Sequence, residues 1–192
     1  MSSGSLHGKN VSVEGGLDFV TPTYMKVLNL FLSDPMQEYH EREVARKARV
    51  SSGSANKLLR LMASSKMLKS QRRGRMVLYR LDLDSPTAKQ FKILANVNSL
   101  EGLLSKLKAI SKRVVLFGSC SQGTDVKESD IDMMILTDES VTARKEITRF
   151  NSRAKRRIAS IIVDANEFAR LRRNDTPLYD NIERGIVLWE AR

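Results

Sequence analysis

VVLFGSCSQGTDVKESDIDMMIL, residues 114–136, decides the fold of the second half of this chain. It contains two short apolar runs, Val114–Phe117 and Met133–Leu136, each of a length and character that predict a buried strand. Gly118-Ser119 follows the first run at once. After ten further residues, Cys120 to Ser129, Asp130-Ile131-Asp132 opens the second run, so the pattern is G-S-x10-D-x-D with a strand on each side. Side chains alternate across a strand, so Asp130 and Asp132 share one face and Ile131 turns to the other. Two like charges beside an apolar strand are costly unless something compensates them. Gly118 leaves the backbone open to close approach, with no Cβ in the way. A helix over Ser121–Asp125 is expected after the turn, with Gly123 giving it space or a stop. Cys120 reads as a small half-buried filler rather than a nucleophile, because no histidine lies near it in sequence.

Upstream, Ser85-Pro86 is a helix start with serine as the cap. Phe91, Leu94 and Val97, then Leu100, Leu103, Leu104 and Leu107, repeat at helical spacing. One or two connecting helices are predicted, with a break at Asn96–Ser99. Downstream, a helix is predicted over Thr142–Arg157 and a strand over Ile158–Val163. Glu167–Arg173 and Pro177–Arg184 read as helices, and Ile186–Trp189 reads as a closing strand.

The first half has a different rhythm. Pro22 opens a helix with Met25, Leu28 and Phe31 inward, and Asp34-Pro35 ends it. Glu41–Ala48 is predicted as a second helix with Val44, Ala45 and Ala48 inward. Ser51 or Ser52 caps a third, whose Ala55, Leu58, Leu59 and Met62 fall at i, i+3, i+4, i+7. Leu68–Gln71 and Met76–Leu83, joined by Arg72-Arg73-Gly74-Arg75, predict a β-hairpin.

Charge marks the same division. The 192 residues carry 33 Lys+Arg and 22 Asp+Glu, a net charge of +11 that points to a polyanionic partner. Residues 37–85 hold 12 basic and 5 acidic groups, whereas residues 86–141 hold 7 of each. The hydrophobic share of 41% is that of a globular chain. No apolar run approaches the ~20 residues of a membrane helix. One cysteine excludes an intramolecular disulfide, and with two histidines (His7, His40) it argues against structural zinc, a composition expected of a reducing cytoplasm. Met1–Gly16 is Gly/Ser-rich and lacks a signal-peptide core, so residues 1–19 are expected to be a flexible leader.

Residues 41–82, EREVARKARVSSGSANKLLRLMASSKMLKSQRRGRMVLYRLD, resemble the winged helix-turn-helix domains of archaeal and bacterial transcription regulators. That resemblance implies double-stranded DNA as the partner, with a homodimer reading paired half-sites. Asn56, Lys57 and Arg60 would face the major groove, with Asn56 able to read an adenine. Arg72, Arg73 and Arg75 on the wing would contact phosphates.

Residues 114–136 resemble the core of the DNA polymerase β-like nucleotidyltransferases, in particular the minimal ones, and the similarity extends over about residues 98–190. LYDNIERGIVLWE, residues 178–190, resembles the tail of archaeal members. The fold implied is α+β, an N-terminal winged helix-turn-helix followed by a small mixed-sheet nucleotidyltransferase domain with flanking helices. The division expected is leader 1–19, winged helix 20–85, connector helix 86–97 and nucleotidyltransferase-like domain 98–192. The resemblance implies transfer of a nucleotidyl group from an NTP, with Mg²⁺ or Mn²⁺, to a hydroxyl of a small molecule, a nucleic acid or a protein. Gly118 and Ser119 would hold phosphate, helped by the positive end of the helix that follows, and Asp130 and Asp132 would hold metal. Arg149, Arg153, Lys155, Arg156 and Arg157 either gather near those phosphates or solvate a helix face. The family also uses a third carboxylate from a later strand, where this chain has Ser160 or Ile161. Either Asp164 substitutes from a shifted register, or the third ligand is absent and the domain binds nucleotide in a transcription regulator without turnover.

Overall fold

The computed structural model describes residues 17–191, so residues 1–16 of the expected leader, His7 among them, lie outside the described residues. The chain enters α1 (Pro22–Ser33) through Thr21, whose side chain accepts the Tyr24 N–H at 3.2 Å. After the short strand β1 (Tyr39–His40) comes α2 (Glu41–Ala48), where the His40 N–H donates to Glu43 Oε2 at 3.2 Å. The left-handed Arg49 ends α2, and Ser51 caps α3 (Ser52–Ser64) by accepting the Ser54 N–H at 3.1 Å. Strands β2 (Leu68–Arg73) and β3 (Met76–Leu81) turn over Gly74, and an antiparallel sheet forms in the order β1-β3-β2. Val27, Leu28, Phe31, Val44, Leu59 and Met62 fill the core between these helices and the sheet.

Helix α4 (Pro86–Ser99) joins the two halves. Its first turns, at Ala88, Phe91 and Ala95, pack on the first core, while Val97 packs on the second. The helix continues past the expected connector boundary at 97 and breaks at Leu100, where α5 (Glu101–Leu107) begins.

The second sheet comprises β4 (Arg113–Phe117), β5 (Ile131–Leu136), β6 (Ile158–Val163) and β7 (Ile186–Glu190) in the order β6-β5-β4-β7. Only β5 and β6 are parallel, and the crossover this requires is made through a helix. Between β4 and β5 lies the five-residue α6 (Gly118–Gln122), and the crossover helix between β5 and β6 is α7 (Ser140–Asn151). Helices α8 (Ala165–Asn174) and α9 (Thr176–Glu183) precede β7. One sheet face, with Val114, Leu116, Met133 and Ile135, is covered by α5 and α7; the other, with Val115, Phe117 and Met134, is covered by α8 and α9.

Three expectations of extent are corrected. Helix α6 begins at Gly118 itself and stops before Gly123, whose left-handed backbone leaves no room for a side chain against the Lys89 backbone, 2.9 Å away. Helix α7 ends at Asn151 rather than Arg157. There the Asn151 amide turns to pair with β6, donating to the Ile158 carbonyl at 3.1 Å and accepting the Ile158 N–H at 2.8 Å. The hairpin strand β3 ends at Leu81: the Asp82 N–H still donates to the facing Met67 carbonyl at 2.9 Å, but the Met67 N–H turns back to the Met62 carbonyl at 2.9 Å instead of pairing across.

Candidate functional site

The turn from β4 into α6 and the start of β5 lie side by side, because β4 and β5 pair with Phe117 opposite Asp132. Gly118 has φ +67°, and a Cβ there would stand 3.1 Å from Asp132 Cγ and nearer still to one carboxylate oxygen. The glycine is therefore required twice over, by its left-handed backbone and by the carboxylate lying on it. Asp132 is half-buried; Asp130, two residues back, is exposed; Ile131 between them is buried in the core under α5 and α7. Burial first, and the charge of Asp130 second, push the Asp132 carboxyl above the usual carboxylate range. Asp130 and Asp132 beside a bare backbone turn are the oxygen ligands that could hold a hard divalent cation here. Among the described residues no group of three or more His, Cys, Asp or Glu side chains converges to hold an ion.

The structure separates the other sequence-derived candidates. In the parallel register Asp132 pairs with Ala159, Ser160 with Met133 and Ile161 with Met134. Ala159 and Ile161 accordingly share the face of Asp132, and Ser160 turns away from it. No acid of β6 faces the pair, because Ile158–Val163 contains none. Asp164 lies five residues beyond Ala159, about 16 Å along the strand at ~3.3 Å per residue. Its side chain is committed elsewhere: it caps α8, accepting the Glu167 N–H at 2.8 Å while Glu167 Oε2 accepts the Asp164 N–H at 2.9 Å. The reading of Asp164 as a shifted third ligand is corrected to a helix cap.

Of the downstream arginines, Arg157 stands beside the start of β5, its carbonyl accepting the Ile131 N–H at 2.8 Å, whereas Arg149 and Arg153 stand away from the acids. Arg149 and Arg153 line a shallow groove with Lys106 and Glu146 between α5 and α7, on the opposite side of the sheet. Arg156 is drawn into a buried cluster with Asp125, Lys92 and Asn96. Nothing in linear spacing announces that cluster, since its members come from α4, the loop after α6 and the loop before β6.

In the first half, Lys57 and Arg60 are exposed on α3, and Arg72, Arg73 and Arg75 are exposed around the hairpin tip. Arg73 makes an ion pair with Glu38 at 3.0 Å, and Arg72 Nε donates to the Gly74 carbonyl at 3.3 Å. Asn56 is half-buried on α3, and its amide donates to Glu41 of α2.

Residues 98–188 match the family model described as the nucleotidyltransferase domain. No curated protein matches the chain. Among solved structures, a toxin–antitoxin complex with AMP-PNP is 27% identical over 50% of this chain and 75% of its own, with a TM-score of 0.36. A candidate nucleotidyltransferase from Sulfolobus solfataricus is 14% identical over 57% of this chain and 93% of its own, with a TM-score of 0.39. The archaeal chromatin protein TrmBL2 is 15% identical over 84% of this chain and 70% of its own, with a TM-score of 0.29. At such low TM-scores none of these likenesses bears on function. No described helix is long and apolar enough to cross a membrane.

Proposed function

We propose that the chain couples a winged-helix DNA-binding unit, residues 20–85, to a domain that transfers a nucleotidyl group from an NTP to a hydroxyl acceptor. The observation that carries this reading is the Asp132 carboxylate lying on Gly118, within a domain matched as a nucleotidyltransferase. Gly118 admits a phosphate close to the backbone, and the Ser119 hydroxyl donates to a phosphate oxygen. Asp130 and Asp132 hold Mg²⁺. When bound, Mg²⁺ supplies neutralisation of the triphosphate and of charge developing on the attacking and leaving oxygens. The acceptor hydroxyl oxygen bonds to the α-phosphorus and gives its proton to solvent water, as the bond from that phosphorus to the α,β-bridging oxygen breaks and pyrophosphate leaves.

The order of helices, hairpin and short strand in the first half supports the winged-helix assignment, as does its basic surface. Asn56, Lys57 and Arg60 on α3, with Arg72, Arg73 and Arg75 on the hairpin, are the groups that meet DNA in this reading. A second copy on a paired half-site is the arrangement such a unit uses.

A second reading has its own observation: Ala159 and Ile161 occupy the β6 positions on the face of Asp132, where the family's third acid would act. In this reading the domain binds nucleotide as a sensor for the DNA-binding unit. Incubation with radiolabelled NTPs, Mg²⁺ and host extract separates the two. Label transfer that Asp130→Asn abolishes establishes the transferase. Asp130-dependent NTP binding with no transfer establishes the sensor, and absence of binding overturns both.

A further inference from the structure

The two halves of the candidate site hang on one cluster of buried polar side chains. Asp125, 2% exposed, holds the Lys92 ammonium at 3.1 Å and the Arg156 guanidinium at 3.0 Å on its Oδ2. Its Oδ1 accepts from Asn96 Nδ2 at 3.0 Å. Lys92 and Asn96 stand one turn apart on α4, also buried. Arg156 uses all three of its nitrogens. Besides Asp125, Nη1 donates to Asn96 Oδ1 at 3.1 Å, Nε to the Ser129 carbonyl at 3.0 Å and Nη2 to Cys120 Sγ at 3.0 Å. Cys120 Sγ in turn donates to the Asp130 carbonyl at 3.4 Å, and the Cys120 carbonyl accepts from Asn96 Nδ2 at 3.0 Å.

The attachment points are the informative part. Cys120 follows Ser119 directly, and Ser129 precedes Asp130. The cluster therefore fastens both ends of the ten-residue loop, one beside the phosphate turn and the other beside the metal-facing acids. Burying two cations and an anion costs desolvation that apolar side chains of similar volume avoid. What the planar fork of Arg156 provides instead is fixed geometry among three separate backbone segments.

We infer that Arg156 and Lys92 are positioning residues, which set Asp130 relative to Gly118-Ser119 so that the site takes a divalent cation with a nucleotide, although neither touches either one. The inference rests on the site reading above. Lys92 acts through Asp125, and Arg156 acts through Ser129 and Cys120.

The test titrates the full chain with Mn²⁺ in the presence of AMP-PNP, reading bound ion by electron paramagnetic resonance. Wild type is compared with Asp130→Asn, Arg156→Lys and Lys92→Met, with circular dichroism and thermal unfolding recorded for each. If wild type binds no Mn²⁺ that Asp130→Asn removes, the site reading fails and the inference falls with it. Given that control, Arg156→Lys keeps the charge but loses the fork. It and Lys92→Met are each expected to weaken Mn²⁺ binding about tenfold or more in folded protein, the scale seen when groups behind metal ligands are removed. Wild-type affinity in the folded variants overturns the inference while leaving the site intact. Unfolding of both variants also overturns it, since the cluster's role is then structural alone.

Discussion

Asp132 and Gly118 constrain one another: the carboxylate occupies the space in which any side chain at 118 would begin. The contact joins the start of β5 to the end of β4. It also explains why the one residue that tolerates the left-handed turn stands at 118.

Gly118→Ala puts a methyl group 3.1 Å from Asp132 Cγ on a backbone with φ +67°. The backbone alone costs about 1–2 kcal/mol, and the overlap pushes Asp132 away from the turn. A lowered Tm in differential scanning fluorimetry is expected, together with loss of Mn²⁺-nucleotide binding in calorimetry. Wild-type binding would show that the contact plays no part in the site.

Asp132→Asn separates stability from function. Burial and Asp130 raise the Asp132 carboxyl, so the folded chain retains a proton at pH values where the unfolded chain has lost it. Stability therefore falls as pH rises through the window between the ordinary aspartate value and the raised one. Above that window the asparagine variant escapes the penalty. Its Tm at pH 7 is expected to exceed wild type, by about 2–4 °C for each kcal/mol regained, while Mn²⁺ binding is lost. In wild type, Mn²⁺ affinity should decline on acidification beginning at a higher pH than for an unperturbed aspartate pair.

Asp164→Ala tests the corrected assignment. As the cap of α8, Asp164 is worth about 0.5–2 kcal/mol of stability, visible in urea unfolding. Mn²⁺ binding should stay at the wild-type level. A selective loss of binding at unchanged stability would return Asp164 to the site.

On the basic half, Arg75→Ala is expected to lower the slope of log affinity against log salt by about one on duplex DNA. Asn56→Ala, which breaks the link to Glu41, should reduce stability and relax sequence preference. Fluorescence anisotropy across a salt series measures both.

Much of this arrangement was legible from sequence where a local signal existed. The bounds Glu41–Ala48 for α2 followed from helical spacing, and the Pro86 start and the strands around G-S-x10-D-x-D from comparable neighbours in the chain; of the two serines expected to cap α3, Ser51 does so. Alternation along the second run predicted a buried Ile131 beside a more exposed Asp132, and their burial follows that pattern. The misreadings arose where a partner distant in sequence decides the outcome. Asn151 ends α7 by pairing with Ile158. Between Asp164 as a shifted ligand and no third ligand at all the sequence does not choose, because only the strand register shows how far Asp164 stands from Asp132. The Lys92–Asp125–Arg156 cluster was illegible for the same reason, since each member alone reads as an ordinary solvated charge.

A crystal grown with Mn²⁺ and AMP-PNP, with diffraction recorded at the manganese absorption edge, tests the central claim most directly. The account predicts an anomalous peak within coordination distance of the Asp130 and Asp132 carboxylates, with phosphate density over Gly118 and Ser119. Manganese or phosphate bound elsewhere, with those carboxylates left empty under saturating ligand, would contradict it.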